Sequence, residues 1–313
     1  MQRHRATILI LLAAAIVATA TAQQTLPPLR VAGNMTTIEL SPVLVAANGI
    51  YPGPITVING GIPNIMSGDV DVATNAETQL LRQSVDDPDL RVIFTVAESF
   101  YRIVARRSAG IRTIADLKGK RITTPRNTSA HYFLNRMLAT AKLTEADVMI
   151  VAINPSTDMS VALKDRRVDA VAMWEPESEK AIMAAGDDAI VLQDRSVYRE
   201  LFNLNTSAKV LADPGKRRTI VELLRSLITG SERLRSNPKE FWPHISSKIN
   251  FTPELIARSW PELRFAGSMV PDLLDVMTEE ERWVALERSR TPRTREQLAR
   301  LIDGSLLQEA LRK

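Results

Sequence analysis

From Leu29 to about Leu192 the chain alternates short β-type runs with stretches whose apolar positions recur at helical spacing. Leu29–Gly33, Ile55–Ile58, Val70–Thr74 and Arg91–Val96 predict four strands, with helices over Pro42–Asn48 and Ala76–Gln83. Ser41 can cap the first helix, Pro42 suits its first position, and Gly49 ends it. Gly60-Gly61 marks the turn after the second strand. A strand over Arg102–Arg106 follows nearly end to end, and the pattern begins again. Ile114–Leu117 predicts a helical turn, Arg121–Thr124 a strand and Ser129–Thr140 a helix. Val148–Ile153, Val168–Met173 and Ala189–Leu192 predict strands, separated by helices over Asp158–Lys164 and Glu175–Ala185. Such alternation implies parallel sheets covered on both faces, and two sets imply two α/β units.

After Asn205 the pattern becomes helical. Apolar residues at 220, 221, 223, 224, 227, 228 and 234 form a stripe over Thr219–Arg235. Further helices are predicted at Pro238–Ile249, Pro253–Trp260, Val270–Glu287 and Arg295–Ile302. No repeat, low-complexity tract or flexible linker separates these parts. The two units are therefore expected to be joined by crossing strands, Thr95–Tyr101 outward and Val197–Ser207 back. Hinges are expected near Glu98–Phe100 and Asn203–Asn205.

Composition narrows the chemistry. The 313 residues are 45% hydrophobic and 24% charged, which excludes a disordered chain and a multi-span membrane protein. Length alone suggests about two domains of roughly 150 residues. Cysteine is absent, so disulfides, thiolate metal sites, cysteine nucleophiles and a lipid-modified N-terminal cysteine are excluded. Three histidines, His4, His131 and His244, do not make a histidine-rich metal site. The N-terminus reads as an export signal. Arg3 and Arg5 precede an apolar run over Ile8–Ala20, and Ala20-Thr21-Ala22 fits a small-x-small cleavage site that leaves Gln23 first. The run is shorter than the roughly 20 residues of a comfortable membrane span. The expected mature chain, 23–313, is exported, periplasmic in a bacterial cell, and not a lipoprotein. Net charge is +4, and removing Arg3 and Arg5 leaves 38 basic residues against 36 acidic. No clustered basic stripe accompanies it, so no nucleic acid partner is expected.

Motifs for common chemistries fail one by one. Gly119-Lys120 is followed by Arg121, and position 114 is Ile, so there is no P-loop. No Gly-x-Gly-x-x-Gly follows a strand, and no Gly-x-Ser-x-Gly elbow exists. Asp86-Asp87, Asp187-Asp188 and Glu279-Glu280-Glu281 read as solvated turns and an exposed helix face. No cofactor, metal or catalytic residue is expected. What remains is a set of polar clusters at predicted strand ends: Asn34, Met35, Thr36 and Thr37; Thr74 and Asn75; Asn127, Thr128, Ser129 and His131; Trp174 and Glu175. Asn, Thr and Ser belong in turns and caps in any case, and Trp174 fits a core. Together, however, these clusters meet if two units face each other across a cleft. Ligands of open α/β sheets bind outside the carboxyl ends of strands, and helix N-termini favour anions.

At these residues the chain resembles bacterial solute-binding proteins. The stretch Gly110-Ile111 with Thr113–Ile122, reading Asp116-Leu117-Lys118-Gly119-Lys120-Arg121-Ile122, is similar to a segment of that superfamily. So are Asp147-Val148, Ala162-Leu163 ahead of Val168-Asp169-Ala170, Trp174-Glu175-Pro176, Ala46–Tyr51 and Gly68–Ala73. The branch resembled is the nitrate/sulfonate/taurine-binding one, with its thiamine pyrimidine precursor relatives. The resemblance implies a two-lobed type II periplasmic binding protein fold with two hinge crossings and C-terminal helices on the first lobe. Lobe 1 would be 23–97 and 205–313, and lobe 2 would be 98–204. It implies a ligand site at the twelve residues above and delivery of a small-molecule solute to an ABC transporter permease by a monomer. The expected solute is a small organic anion of sulfonate or carboxylate type, with Arg126 as a further contact or a solvent-facing residue. A neutral pyrimidine-like or aromatic solute and a ligand-sensing adaptor are the alternatives. An enzyme on the same fold is disfavoured by the export signal and the absent cysteines. Glu39, Glu77, Glu98 and Glu175 are a check: if several line the cleft, the anion reading fails.

Overall fold

The computed structural model describes residues 26–312, so the expected export signal and its cleavage site lie outside the described residues. The chain opens with β1 (Leu29–Gly33), α1 (Ser41–Ala47), β2 (Ile55–Asn59), α2 (Ile62–Met66), β3 (Val72–Ala76), α3 (Glu77–Gln83) and β4 (Leu90–Ser99). A second unit follows with β5 (Arg102–Arg106), β6 (Arg121–Thr123), α4 (Ser129–Thr140), β7 (Met149–Ile150), α5 (Met159–Lys164), β8 (Ala170–Met173), α6 (Glu177–Ala185) and β9 (Ala189–Leu192). The chain then returns along β10 (Glu200–Ser207) and turns helical. α7 (Ala208–Leu211), α8 (Pro214–Ser236), α9 (Pro238–Ile249) and α10 (Pro253–Ser259) precede β11 (Leu263–Arg264), and α11 (Leu273–Glu287), α12 (Arg295–Ala299) and α13 (Ser305–Leu311) end the chain.

Two sheets result, ordered β11-β4-β10-β3-β1-β2 and β7-β6-β8-β5-β9. They are mixed rather than parallel, which corrects the expectation. β2, β1 and β3 are parallel, as are β7, β6 and β8, but β10 runs antiparallel between β3 and β4, and β5 antiparallel between β8 and β9. A chain that leaves one sheet along β4 must come back along a strand of opposite direction. That return strand carries polar residues into the sheet centre. Asn203 and Asn205 are fully buried, and their side-chain amides donate to the carbonyls of Leu201, Ala73 and Asn203 beside two irregularities in the ladder. The hinge expected at Asn203–Asn205 is therefore sheet interior. The segments linking the sheets are Phe100-Tyr101 and 193–199, and the two crossing strands meet where Glu200 pairs with Ser99.

Apolar residues bury both faces of the first sheet. One core joins Val31, Ile93 and Leu204 to α1, α8 and α9; the other joins Ala73, Val92 and Leu201 to α2, α3 and α11. The second unit's main core is aromatic, with Tyr101, Phe133 and Tyr198 packed edge to face. The helical tail is not confined to the first unit. Trp283 of α11 packs edge-on against His131 and beside Tyr132 of α4, and α10 reaches α6 through the Arg258–Glu179 ion pair. β3 begins two residues later than predicted, because the Asp71 carboxylate is held by the Arg30 amide and Lys216 before the ladder starts. α6 starts at Glu177 rather than Glu175, since the residue before a proline disfavours helical backbone. β7 keeps only two residues of the predicted Val148–Ile153 strand.

Candidate functional site

A cleft of about 550 Å³ lies between the two sheets. Its lining comes from loops that leave strand ends and from the crossing segments. From the first unit come Asn34 after β1, Asn59 to Gly61 after β2, and Asn75 at the end of β3. The Asn75 amide oxygen accepts from the Ile62 N–H at 2.7 Å and occupies the space a Cβ on Gly61 would need, so glycine there lets α2 start against β3. α3 presents Gln79 and, one turn later, Arg82 and Gln83. The second unit contributes Arg126, Asn127, Thr128 and Ser129 at the start of α4, with Trp174. Tyr101, Glu200 and Phe202, on and beside the crossing segments, complete the lining with Glu39.

The rims touch. Gln79 Nε2 donates to the Asn127 carbonyl at 2.9 Å, and the Thr37 hydroxyl lies 3.2 Å from the Glu175 carbonyl oxygen. Asn127 sits in the left-handed backbone region, with φ 61°, which asparagine tolerates better than most residues.

Four buried carboxyls, with no ion pair among the described residues, stand at this seam: Glu39, Glu77, Glu200 and Glu280. Glu39 lies beside Glu200 and Glu77 beside Glu280, while Glu39 Oε1, Glu200 Oε2 and both Glu280 oxygens have no hydrogen-bond partner among the described residues. Burial pushes all four above the ordinary carboxylate range, and the neighbouring negative charges push Glu200 and Glu280 further. Two tyrosines flank the pairs. The Tyr198 hydroxyl donates to Glu77 Oε1 at 2.7 Å, while the Tyr101 hydroxyl lies 2.9 Å from Ser129 Oγ, near Glu200.

The Trp174 turn is held from beneath. Glu175 is fully buried and receives Arg102 Nε at 2.9 Å; Arg102 Nη2 also reaches Glu179, which Arg258 pairs in turn. Burial pushes Glu175 up to about 7 although Arg102 opposes it.

Six of the twelve predicted site residues do not line the cleft. Met35 lies in a separate surface pocket with Leu44 and His244. Thr36 folds back on Asn34, whose Oδ1 accepts from the Thr36 amide and hydroxyl. Thr37 is buried as the cap of the turn at Ile38–Leu40, with its hydroxyl on Glu39 Oε2 at 2.8 Å. Thr74 is buried in the sheet beneath the cleft. Glu175 supports Trp174 from below. His131 points away: its Nδ1 accepts from the Asn127 N–H, and its Nε2–H donates to Glu145 at 2.6 Å. Against the cost of partial burial, His131 and Arg126 hold Glu145 below the usual carboxylate range. Arg126 lines the cleft but is thus already paired. Asn75 lines the cleft as predicted, with its Oδ1 accepting from the Ile62 amide.

Sequence reasoning missed Asn59, Gly60, Gly61, Gln79, Arg82, Gln83, Tyr101, Glu200 and Phe202. The rule that sites lie beyond strand ends, applied to the second strand, finds Asn59 to Gly61. Tyr101 ends the predicted outward crossing, and Glu200 lies within the return one. Gln79 and Arg82 carry no such signal. Of the four check glutamates only Glu39 lines the cleft. Glu98 pairs Arg199, and Glu77 lies behind Glu200.

A profile of the family described as NMT1/THI5 like matches residues 58–240. The chain belongs to that family. Among curated proteins it is 32% identical, over 111 residues, to a candidate aliphatic sulfonates-binding protein of Escherichia coli K12, covering 36% of this chain and 34% of that one. The chain spans about a quarter to a third of the length of the curated relatives it matches. Its fold is that of the periplasmic binding proteins. The alkanesulfonate-binding protein SsuA from Xanthomonas axonopodis pv. citri, bound to MOPS, superposes with a TM-score of 0.71 at 18% identity, over 89% of this chain and 99% of that one. The periplasmic nitrate-binding protein NrtA from Synechocystis PCC 6803 gives 0.73 at 13% identity, over 91% and 88%.

Proposed function

We propose that this protein is an extracytoplasmic solute-binding protein that captures a small organic anion in the interlobe cleft and hands it to the permease of an ABC importer. Lobe 1 comprises 23–97 and 205–313, lobe 2 comprises 98–204, and the lobes close over the solute by rotation about the crossing segments. The observation that carries the reading is Arg82. Arg82 lines the cleft, its guanidinium makes no hydrogen bond or ion pair among the described residues, and its buried Nη1 has no partner, with Arg288 and Glu287 as the charged groups nearby. A buried donor left unpaired costs about 1–3 kcal/mol, which an anionic acceptor recovers. The start of α4 at Thr128 and Ser129 adds a favourable dipole end. Trp174 and Phe202 supply an apolar wall, which favours an organic over an inorganic anion. No step of capture requires bond-making chemistry.

Tryptophan fluorescence tests the reading. Titration of the mature chain with alkyl sulfonates, carboxylates, nitrate and pyrimidines is expected to give a saturable change with an organic anion. W174F is expected to lose most of that signal. Saturation by neutral pyrimidines alone contradicts the anion reading.

A further inference from the structure

A second pocket, of about 250 Å³, lies against the return segment 195–199 and shares no lining residue with the cleft. Tyr132 of α4, Tyr198 of the return segment and Val276, Glu279 and Glu280 of α11 form much of its wall. The three consecutive acids of α11, which the sequence presents as an exposed face, meet different fates. Glu279 pairs Arg136, and Glu281 is buried against Arg290 and Arg293. Glu280, between them, is 1% exposed, and neither of its carboxyl oxygens has a hydrogen-bond partner. The donors around it are already engaged. The Tyr198 hydroxyl and the Leu201 N–H both serve Glu77, the carboxyl beside Glu280. Arg136 reaches Glu279 and the Tyr132 hydroxyl, Arg199 pairs Glu98 and Asp272, and Arg195 pairs Glu262. One carboxyl in the wall is thus left unsatisfied by the chain itself, and a buried acceptor without a donor is costly. No group of three or more metal-ligating side chains occurs among the described residues, so an organic cation fits the site better than a chelated metal ion.

We propose that this pocket is a second binding site, separate from the cleft, for a small guanidinium-type cation held by the Glu280 carboxylate. Two free oxygens on one carboxyl match the parallel N–H pair of a guanidinium, which donates to both at once. This cation is also more weakly hydrated than an ammonium, so it loses less on leaving water. Tyr132 and Tyr198 add aromatic surface, which attracts cations. The space equals that of about eight waters at roughly 30 Å³ each, enough for a molecule the size of an arginine head group with a short tail. Arg195 and Arg199 also line the pocket, but their own carboxylates neutralise them. Because α4 belongs to the second unit and α11 packs on the first, an occupant touches both units.

The test is calorimetric titration of the mature chain at fixed ionic strength with methylguanidinium, methylammonium and N-methylurea. N-methylurea keeps the shape without the charge, and methylammonium keeps the charge without the planar fork. Methylguanidinium is expected to bind once per chain and about tenfold or more tightly than either of the others. E280Q removes the charge, while V276F fills the pocket and leaves Glu280 in place. Each variant, checked for its fold by circular dichroism, is expected to weaken methylguanidinium binding by about tenfold or more. E200Q alters an acid of the cleft and is expected to change that binding by less than about twofold. Equal binding of methylammonium or N-methylurea overturns the proposal, as does undiminished binding to E280Q or V276F. Loss of binding in E200Q places the cation in the cleft and overturns it too, and so does the absence of saturable methylguanidinium binding. None of these results bears on capture of a solute in the cleft, which the titrations above test separately.

Discussion

Arg102 is the residue whose loss tests most sharply how the cleft wall is held. The residue is 8% exposed, and its guanidinium lies between two buried carboxyl groups, Glu175 and Glu179. R102L removes the cation and keeps the apolar volume. Glu179 retains Arg258, but Glu175 is left without a counter-charge. Breaking a buried pair by deleting one partner costs about 3–5 kcal/mol. Unfolding entropy near 2.1 cal/mol/K per residue gives roughly 0.6 kcal/mol/K for a chain of about 290 residues, so Tm falls by about 5–8 °C. The fall depends on pH. Glu175 has a folded-state pKa raised from 4.5 to about 7, so it binds a proton more tightly folded than unfolded. Its contribution is most favourable below about 4.5 and is lost as pH rises to about 7. At pH 5 the folded protein already holds Glu175 neutral, and R102L then forfeits only hydrogen bonds, about 1–2 kcal/mol and 2–3 °C. Melting followed by circular dichroism at pH 5 and pH 8 separates the cases. An equal fall at both pH values refutes the electrostatic reasoning and assigns the effect to packing.

Further outcomes follow from the same geometry. R82M is expected to weaken binding of an anionic solute about tenfold to a hundredfold, the range for one charge-assisted hydrogen bond lost at 1.5–3 kcal/mol, whereas R126M, whose cation already pairs with Glu145, costs less than threefold; isothermal titration of both variants checks the ranking. The Glu77–Glu280 pair makes the folded chain hold protons that the unfolded chain releases, so wild-type stability falls as pH rises above about 4.5. E280Q is expected to flatten that slope and raise Tm at pH 8, read from melts between pH 5 and 8.5. W174A removes the ring that packs 6.2 Å from Tyr101 and lines the cleft, so solute affinity should fall at least tenfold; fluorescence polarisation or calorimetry measures it.

The elements were legible where a local signal and tertiary packing agree. β1, β5, α4, α9 and β9 occupy the predicted residues, because their patterning, caps and prolines act within each segment. Sheet direction was not legible. Nothing local in Glu200–Ser207 marks it as an antiparallel central strand, and its two buried asparagines read as a hinge in a crossing strand. The short α2 and α13 were missed because five or seven residues give too little periodicity. In the cleft, strand-end loops found Asn34, Asn127 to Ser129 and Trp174. His131 and Glu175 misled because polarity near a strand end serves equally to brace a wall, His131 through Glu145 and Glu175 through Arg102. Arg82 and Glu200 escaped because each sits in a run whose pattern is satisfied without them. Only the fold brings helix α3 and the return crossing to the same cleft.

In the proposed mode of capture a single solute is gripped by both lobes at once. Hydrogen exchange of the mature chain, with and without a saturating anion identified by titration, tests it most directly. Slowed exchange is expected in 59–63 and 79–83 of the first lobe together with 126–131 and 174–176 of the second, and in the crossing residues 99–102. Protection confined to one lobe, with the other unchanged at saturation, contradicts it.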